Sequence, residues 1–344
     1  MLRIFHVPSH LSYAAKLTSS EFAPVASPTG GPLRLSELAE LRCWGFFDVL
    51  HVHTVELATA DDLERVAARA ENEGKGLVFT AHDLAPNIED DRSAFDRKTA
   101  LLVRRARVVM TLTTAAAEQV AMASGVTVSS LRVVPHGAAL PLSLVGSNSV
   151  GAEVAAFGAL RPNRDFLSVV RAWRLLPAPR PPLRLLVRSL THAEEQRYTT
   201  VLDELAQAER ADPELTITTT PDVMPPDDLV SWCRPVSVLV LPYTKITHSG
   251  QLELARDLGL RLVAPDVPTL RSQVDEGPRS SVEWFALSDL AEPRRFATHL
   301  QHALSLPAPA TGGTAVHDYR AAEHTRLLDA HRDAYLSATS PIKV

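Results

Sequence analysis

The sequence has few cysteines, and no apolar run that approaches the roughly 20 residues needed to cross a bilayer. Its two cysteines, Cys43 and Cys233, lie far apart and outside any CxxC spacing, which excludes a disulfide framework and a cysteine-based zinc site. The first ten residues lack the basic and apolar regions of a signal peptide. We therefore expect a reduced, cytoplasmic protein without membrane insertion.

The sequence also lacks an excess of positive charge. Lys and Arg number 35 against 40 Asp and Glu, a net charge of -5, which argues against nucleic acid and anionic lipid as partners. A hydrophobic share of 45% with 22% charged residues is typical of a globular protein, and 25 prolines against 15 glycines indicate many rigid turns. At 344 residues the chain is about twice the usual domain size, so we expect two domains.

Short apolar segments alternate with amphipathic stretches in both halves of the chain. Strands are predicted at residues 2–7, 48–53, 76–82, 106–113 and 131–137, and again at 154–160, 183–190, 215–220, 236–242 and 260–265. Helices are predicted at 58–72, 93–105, 114–123, 166–176, 192–211, 226–233, 250–258, 292–304 and 316–335. This alternation predicts an α/β fold of two doubly wound domains, one on each side of a linker at 139–152 that is rich in Pro, Ser and Gly. We place the domains at 1–145 and 146–312, with a C-terminal helix in 313–344 that packs back across their junction.

The segment 239–265 reads as strand, polar loop, helix and strand, and places His248, Ser249 and Gly250 at the start of the helix. The unpaired N–H groups of a helix start suit a phosphate, Gly250 permits close approach of backbone, and Ser249 offers a cap. An ordinary capped helix with a surface histidine is the competing interpretation. A second candidate is the turn in which Arg161 and Arg164 flank Pro162, because two guanidinium groups can bind a diphosphate. Two solvated arginines are the alternative there.

Histidines and acids follow two strands of the first half. His82 and Asp83 follow one strand, and His51, His53 and Glu56 lie at the end of another. Such a histidine can bind a sugar hydroxyl or an acceptor group, and a neighbouring acid can fix its tautomer. Alternation places His51 and His53 on one face, but no third ligand has the spacing typical of a metal site, so we predict no metal. A structural role is the interpretation for His51, and it is equally open for His6 and His10.

The sequence has no GxSxG, GxxxxGK[ST], HExxH or GxGxxG motif in its required context, which disfavours hydrolases, kinases, metalloproteases and dehydrogenases. The motifs that are present, in order, are DVLHVHT, VFTAHD, RVVPHG, FGALRPNRD, PYTKITHSG and GLRLVAP. This series resembles the family 4 glycosyltransferases, in particular the bacterial branch marked by an RPYK turn and a PYxxxxxSG loop. The resemblance covers nearly the whole chain. It implies a GT-B fold, in which two Rossmann-like domains face each other across a cleft, and nucleoside diphosphate sugars as donors.

The resemblance implies roles for individual residues. Arg161 matches the family arginine and Arg164 stands where the family has lysine, so both would hold the donor diphosphate and act in catalysis with His82, which would contact the transferred sugar or the acceptor. The remaining donor-binding residues that it implies are Asp222, Val223, Met224, His248, Ser249, Gly250, Gln251 and Glu253. The remaining acceptor-binding candidates come from the residues themselves and not from the resemblance: Ser9, His10 and Tyr13 near the N-terminus, and His53, Glu56 and Asp83 after the two strands.

The sequence departs from the family pattern at two places. Ile246 and Leu254 occupy the positions of the usual glutamate pair, and Glu253 is one residue away, rotated by about 100° on the helix. The N-terminal glycine-rich loop is replaced by VPSHLSYAAK. Retaining transfer without the glutamates is consistent with a mechanism in which the leaving phosphate takes the acceptor proton.

The predicted function is transfer of a sugar from a GDP- or UDP-linked donor to a small molecule, without metal or other cofactor and with retained configuration. The composition suggests specialised, antibiotic-type metabolism, with a thiol S-glycosyltransferase of lincosamide pathways as one candidate. Two alternatives stay open: a non-catalytic GT-B module that binds a nucleotide sugar, and a nucleotide-sugar epimerase of the same fold.

Overall fold

The computed structural model describes residues 1–9, 12–88, 91–146, 151–220, 224–277, 280–309 and 314–340. Contacts divide the chain into two compact units, the first comprising Met1–Gly137 and Ala322–Val344 and the second Ala138–Ala321. These limits differ from the predicted 145/146 and 312/313, because Leu140 and Val145 pack into a core of the second unit. Among the described residues, no helix combines the length and apolar character that a membrane span requires.

The first unit contains a six-stranded sheet in the order β2-β1-β3-β4-β5-β6, in which every pairing is parallel. The strands are β1 (Leu2–Val7), β2 (Phe22–Pro24), β3 (Val49–Val52), β4 (Gly76–Thr80), β5 (Val108–Thr111) and β6 (Leu131–Val133). All strands are parallel, but the side on which successive strands are added to the sheet changes between β1 and β3, where His6 lies opposite His51. In open α/β sheets ligands bind beyond the carboxyl ends of the strands at such a switch point.

Helices cover both faces of this sheet. They are α1 (Ser12–Ala15), α2 (Leu35–Glu40), α3 (Ala60–Asn72), α4 (Arg92–Arg105) and α5 (Thr114–Ser124), followed at the end of the chain by α12 (Thr314–Thr339). Because side chains of a strand alternate between faces, Phe5 packs in one core with α2, α3 and α4, while Ile4 packs in the other with Leu327 and Tyr335 of α12. The part of α12 up to Ala321 belongs to the second unit.

The second unit contains a six-stranded parallel sheet in the order β12-β11-β10-β7-β8-β9. Its strands are β7 (Glu153–Gly158), β8 (Leu183–Arg188), β9 (Leu215–Thr220), β10 (Val236–Val240), β11 (Arg261–Pro265) and β12 (Val282–Phe285). Its helices are α6 (Phe166–Trp173), α7 (His192–Ala211), α8 (Pro226–Cys233), α9 (Gly250–Leu258), α10 (Pro268–Asp275) and α11 (Pro293–Ser305). The switch point of this sheet lies between β7 and β10.

The predicted doubly wound α/β organisation is confirmed in both units. The helices α7, α8 and α9 have the predicted limits. The sequence analysis missed the edge strands β2 and β12 and the short helices α1, α2 and α10. A three-residue strand such as β2 is too short for a period of two to be visible, and its pairing with β1 stabilises it instead.

Candidate functional site

The carboxyl end of β7 and the segment after β10 meet at the switch point of the second unit. The turn 161–165 is joined to that segment by backbone hydrogen bonds from Asp165 N–H to Pro242 O at 2.8 Å and from Thr244 N–H to Asn163 O at 3.0 Å. Arg164 and Tyr243 also form an isolated antiparallel bridge. The two segments that sequence analysis assigns to a diphosphate are therefore held together by main chain.

Arg164 is fixed by three contacts on this framework. Its Nη1 donates to Ala159 O at 3.1 Å, its Nη2 donates to the Tyr243 hydroxyl at 2.8 Å, and its guanidinium lies 4.8 Å from the centroid of the Tyr243 ring. Two hydrogen bonds leave three of its five N–H groups available, and the buried Nε–H has no partner among the described residues. Arg164 is therefore a preoriented cation with spare donors, as an anion site needs.

Gly158 is the residue on which Arg164 and Gln251 converge. Its φ of +127° suits glycine, and a Cβ at this position would overlap the Arg164 guanidinium and lie 3.1 Å from Gln251 Nε2. Gln251 Nε2 donates to Phe157 O at 2.7 Å, and its buried Oε1 has no hydrogen-bond partner within the described ranges. The structure thus brings Arg164 and Gln251 together. Arg164 Nε and Gln251 Oε1 are two buried polar atoms without a hydrogen-bond partner among the described residues, and such atoms require an explanation.

Arg161 lies in the same turn with an exposed side chain. It makes no hydrogen bond or ion pair within the part of the chain that the structure describes. Its charge contributes to the lowered pKa of Glu194, which is caused mainly by the Thr191 backbone N–H and also by the charge of Arg188. Arg161 is therefore free to turn toward a ligand.

Side-chain hydrogen bonds hold the N-terminus of α9 in place. Ser249 accepts the Leu252 N–H at 3.1 Å as the N-cap, and the side chain of Gln273 on α10 bonds both to the Ser249 N–H at 3.1 Å and to its carbonyl at 3.0 Å. Gly250 is exposed and His248 is half-buried. His248, Ser249 and Gly250 therefore lie, as predicted, at the start of a helix whose first N–H groups carry partial positive charge, with Ser249 as the N-cap and His248 just before it.

Glu253 is on the buried side of the same helix. Arg320, on α12, bonds to Glu253 Oε2 at 2.7 Å and to Asp257 Oδ1 at 2.7 Å, while Arg256 and Gln273 reach Glu253 Oε1 at 3.2 and 2.6 Å. The carboxylate thus binds cations of the protein, and the donor-binding role assigned to it stays a prediction. Sequence analysis missed Arg320, which lies 67 positions from Glu253.

The stretch assigned to the nucleotide base is only partly described. Met224 is half-buried just before α8, whereas Asp222 and Val223 lie outside the described residues. Among the acceptor candidates, His10 is likewise outside, and Ser9 is exposed just beyond β1. These assignments stay predictions.

A stripe of polar side chains crosses the first unit on the face that α12 covers. Ile4, Val49 and Val78 face the core under α12, and every second residue of a strand lies on the same face. The polar residues on that face are therefore His6 of β1, His51 and His53 at β3, and Thr80 and His82 at β4. His6, His51 and His53 are at most 2% exposed, whereas His82 is half-buried. The histidines therefore form a row that runs from the core outward.

Hydrogen bonds connect three of these rings in series. His6 Nδ1 lies 2.8 Å from His53 Nε2, and His53 Nδ1 lies 2.9 Å from His82 Nε2. Burial lowers the pKa of His6 to about 3 and holds the pKa of His53 well below 6.5. Both rings are therefore neutral at pH 7. His51 is outside this series. Its ring nitrogens bond to Thr80 Oγ1 at 2.7 Å and to the Tyr335 hydroxyl at 2.9 Å.

Tyr13 joins the row to α12. Its ring packs edge-on against His82 with 4.8 Å between centroids, and its hydroxyl lies 3.4 Å from His331 Nε2. His331 donates from Nδ1 to Leu327 O at 2.8 Å, so Nε2 is the acceptor for Tyr13. The predicted acceptor residues Tyr13, His53 and His82 are thus brought together, and sequence analysis missed His331, which lies some 250 residues away from His82.

Glu56 is placed differently from the other acceptor candidates. Its Oε1 accepts the N–H groups of Asn87 and Ile88 at 2.8 and 2.6 Å, so the carboxylate closes the loop after β4. Asp83 is half-buried beside His82. His82 Nε2 lies 2.9 Å from His53 Nδ1.

The expectation that His51 and His53 have no third neighbour is corrected by the structure. His6 joins them because β1 and β3 are adjacent in the sheet, and one nitrogen of each ring lies within 4.8 Å of the others, a spacing that could hold a metal ion. Both nitrogens of His51 and of His53 are, however, engaged in the hydrogen bonds given above. The prediction of no metal stays a prediction.

The chain is similar over nearly its whole length to several solved proteins. Anabaena Alr3699/HepE, solved in complex with UDP and glucose, matches with a TM-score of 0.66 and 14% identity over 98% of this chain and 99% of that chain. Sucrose-phosphate synthase (tll1590) from Thermosynechococcus elongatus matches with a TM-score of 0.61 and 12% identity over 99% and 95%. A glycosyltransferase from Rickettsia africae ESF-5 matches with a TM-score of 0.60 and 9% identity over 98% and 97%.

These likenesses, together with the two parallel six-stranded sheets, establish the GT-B fold predicted from the motif series. No protein-family profile and no curated protein sequence matches the chain. At identities this low the likeness defines the fold alone, so the chemistry has to be argued from the site residues.

Proposed function

We propose that this protein transfers a glycosyl group from a nucleoside diphosphate sugar to a small-molecule acceptor. The observation that carries the proposal is the convergence of Arg164, Gln251 and the N-terminus of α9 on Gly158 at the switch point of the second unit. A diphosphate matches this arrangement, because a guanidinium with spare donors and a helix start both stabilise negative charge that grows on a leaving group.

Arg161 adds a mobile cation to this fixed arrangement. Its side chain is exposed and lies in the turn that main-chain hydrogen bonds join to the segment after β10. Binding of a donor would turn Arg161 onto the outer phosphate oxygens, and rotamer changes of this size are common on binding. Arg164 then determines the position of the diphosphate, and Arg161 adds charge.

The first unit supplies the acceptor residues in this proposal. His82 is the half-buried end of the histidine row, and Tyr13 holds its ring edge-on. An imidazole in this position can bond to a hydroxyl of the sugar or of the acceptor. The acceptor is then a small polar molecule that reacts through a hydroxyl or a thiol group.

Finer points of the proposal rest on the motif series. We assign the chain to the family 4 type, with UDP or GDP as the nucleotide, retained configuration and no metal. The aliphatic residues at 246 and 254 are compatible with retention through proton transfer to the leaving phosphate, because that route needs no carboxylate in the family's glutamate positions. The antibiotic and lincosamide assignment belongs to the same proposal and concerns the acceptor only.

Calorimetric titration with UDP, GDP, ADP and dTDP tests the donor site. We expect one nucleotide to bind, Arg164→Gln to weaken it at least about tenfold, as for loss of one charge-assisted hydrogen bond, and Arg161→Ala to weaken it less. Arg294→Ala, at the exposed start of α11, is the control and retains the affinity of the parent. Equal affinity of the Arg164 variant and the control would contradict the assignment.

Turnover separates the proposed enzyme from its alternatives. Incubation of the matching nucleotide sugar with pooled small hydroxy and thiol acceptors should release the nucleoside diphosphate together with a glycosylated product. Tight binding without any release would indicate a binding module, and a change in the sugar without release would indicate an epimerase.

A further inference from the structure

One side chain of α10 bonds to both main-chain groups of the residue that caps α9. Gln273 Oε1 accepts the Ser249 N–H at 3.1 Å, and Gln273 Nε2 donates to the Ser249 carbonyl at 3.0 Å. Both residues are buried, with 4% and 1% of their surfaces exposed. The orientation of the amide is fixed, because a flipped amide would place donor against donor and acceptor against acceptor. Gln273 thus holds the backbone of Ser249 on both sides of its Cα atom.

The bond to the Ser249 carbonyl also sets the direction of the next N–H group. The Ser249 carbonyl and the Gly250 N–H belong to one peptide unit, and a trans peptide unit is planar, with its N–H pointing opposite to its C=O. Within the helix, the nitrogen of Glu253 lies 3.4 Å from this carbonyl oxygen, farther than Gln273 Nε2. Gln273 is therefore the closer of these two donors, and it orients the plane that carries the Gly250 N–H.

The Gly250 N–H lies at the start of the helix, where the proposed diphosphate site needs donors. The N–H groups of a first turn have no acceptor within their own helix, and the Ser249 hydroxyl takes that of Leu252. Gly250 comes before Leu252 and is exposed. A hydrogen bond to the carbonyl of a peptide unit also polarises the N–H of that unit. The Gly250 N–H is thus both directed and strengthened as a donor to an anion.

Glu253 holds the Gln273 amide in turn. Gln273 Nε2 donates its second N–H to Glu253 Oε1 at 2.6 Å, and Glu253 Oε2 accepts from Arg320 Nη2 at 2.7 Å. Arg256 Nη1 lies 3.2 and 3.3 Å from the two carboxylate oxygens. Two guanidinium groups therefore offset a negative charge that would oppose binding of a phosphate, while the carboxylate still fixes the Gln273 amide.

We propose that Gln273 is a positioning residue of the diphosphate site. It directs the Gly250 N–H at the leaving diphosphate, and Glu253 acts on that site through Gln273. The role in catalysis rests on the proposed function, whereas the contacts that orient the Gly250 N–H do not. Because the donors of α9 act on the second phosphate in this proposal, loss of Gln273 weakens a nucleoside diphosphate selectively over its monophosphate.

The amide nitrogen-15 resonance of Gly250 tests the positioning without any nucleotide. Gln273→Met keeps the length of the side chain and removes its three hydrogen bonds. We expect the Gly250 resonance to move upfield, because its peptide carbonyl loses a donor. Leu270→Val is the matched control, since Leu270 is fully buried on the same helix and packs in the apolar core. This control should leave the Gly250 resonance unchanged.

Calorimetric titration supplies the second readout. For the nucleoside that binds most tightly, Gln273→Met should weaken diphosphate binding about tenfold, the value of one hydrogen bond to a charged group, and change monophosphate binding by less than about twofold. Leu270→Val also removes stabilising contacts but should retain both affinities. Gln273→Asn has the same amide on a side chain that is one methylene shorter, and should show the same selective loss. It decides the question if Gln273→Met does not fold.

Two results would overturn the positioning role and leave the proposed function intact. One is a parent-like Gly250 resonance in the Gln273 variants, and the other is a ratio of diphosphate to monophosphate affinity equal to that of the parent. If no nucleotide binds the parent protein, the proposed glycosyl transfer itself fails, and the role of Gln273 fails with it.

Discussion

Lowering the pH from 7.5 to 5.0 should destabilise the first unit through its buried histidines. His6 and His331 have a folded-state pKa of about 3 and about 4 against an ordinary value of 6.5, in both cases because burial disfavours the cation. Their stabilisation is therefore complete above pH 6.5 and is lost as the pH falls from 6.5 toward these lower values, because the unfolded chain takes up protons first. His51 and His53, also held well below 6.5, act in the same direction.

The size of the effect follows from these pKa values. At pH 5 an unfolded-state histidine with a pKa of 6.5 is protonated while its folded counterpart is neutral, which costs about 2 kcal/mol for each residue. His6 and His331 together cost about 4 kcal/mol, a large part of the stability of an ordinary domain.

The free energy of unfolding, measured in urea at the two pH values, gives this loss. Unfolding of the first unit can be followed by the fluorescence of Trp44, the tryptophan of that unit. His331→Phe should reduce the difference between pH 7.5 and 5.0 by about 2 kcal/mol, even though loss of the Tyr13 hydrogen bond lowers stability at both values. His192→Gln, whose parent side chain is 83% exposed, should leave the difference unchanged. If His331→Phe retains the full pH dependence, His331 is not a buried neutral imidazole.

The second unit gives three further predictions. Arg320→Met leaves the buried Asp257 without its counter-charge and Glu253 with Arg256 alone, and should cost about 3–5 kcal/mol in urea unfolding. Ser249→Ala removes the cap of α9 and should cost about 1 kcal/mol, measured in the same way. Gly158→Ala should displace the Arg164 guanidinium and weaken nucleotide binding in calorimetry at least about tenfold, whereas Gly146→Ala, also at positive φ but with open space around its Cβ, should not.

Much of the geometry of the proposed donor site could be predicted from the sequence because its parts are local. The pairs Arg161 with Arg164 and Ser249 with Gly250 each lie within one turn, and the strand-loop-helix pattern around them fixes which end of the sheet they occupy. The contacts that rigidify the site could not be predicted in the same way. Tyr243 is 79 positions from Arg164, and only the order of β7 and β10 in the sheet brings them together.

The histidine row shows the same limit more strongly. Alternation alone places His51 and His53 on one face, and this was visible in the sequence. The partnership with His6 depends on the parallel register of β1 and β3, in which His6 lies opposite His51. Tyr335 reaches His51 from 284 positions away on α12, a helix whose packing face single-sequence reasoning does not reveal.

The diphosphate site that we propose at Gly158 is tested most directly by comparing each nucleoside diphosphate with its monophosphate. For the base that binds most tightly, we expect the diphosphate to bind at least about tenfold more tightly than the monophosphate, since the Arg164 and α9 donors act on the second phosphate. In Gly158→Ala this ratio should fall toward one. Equal affinities of the two nucleotides for the parent protein would contradict the account.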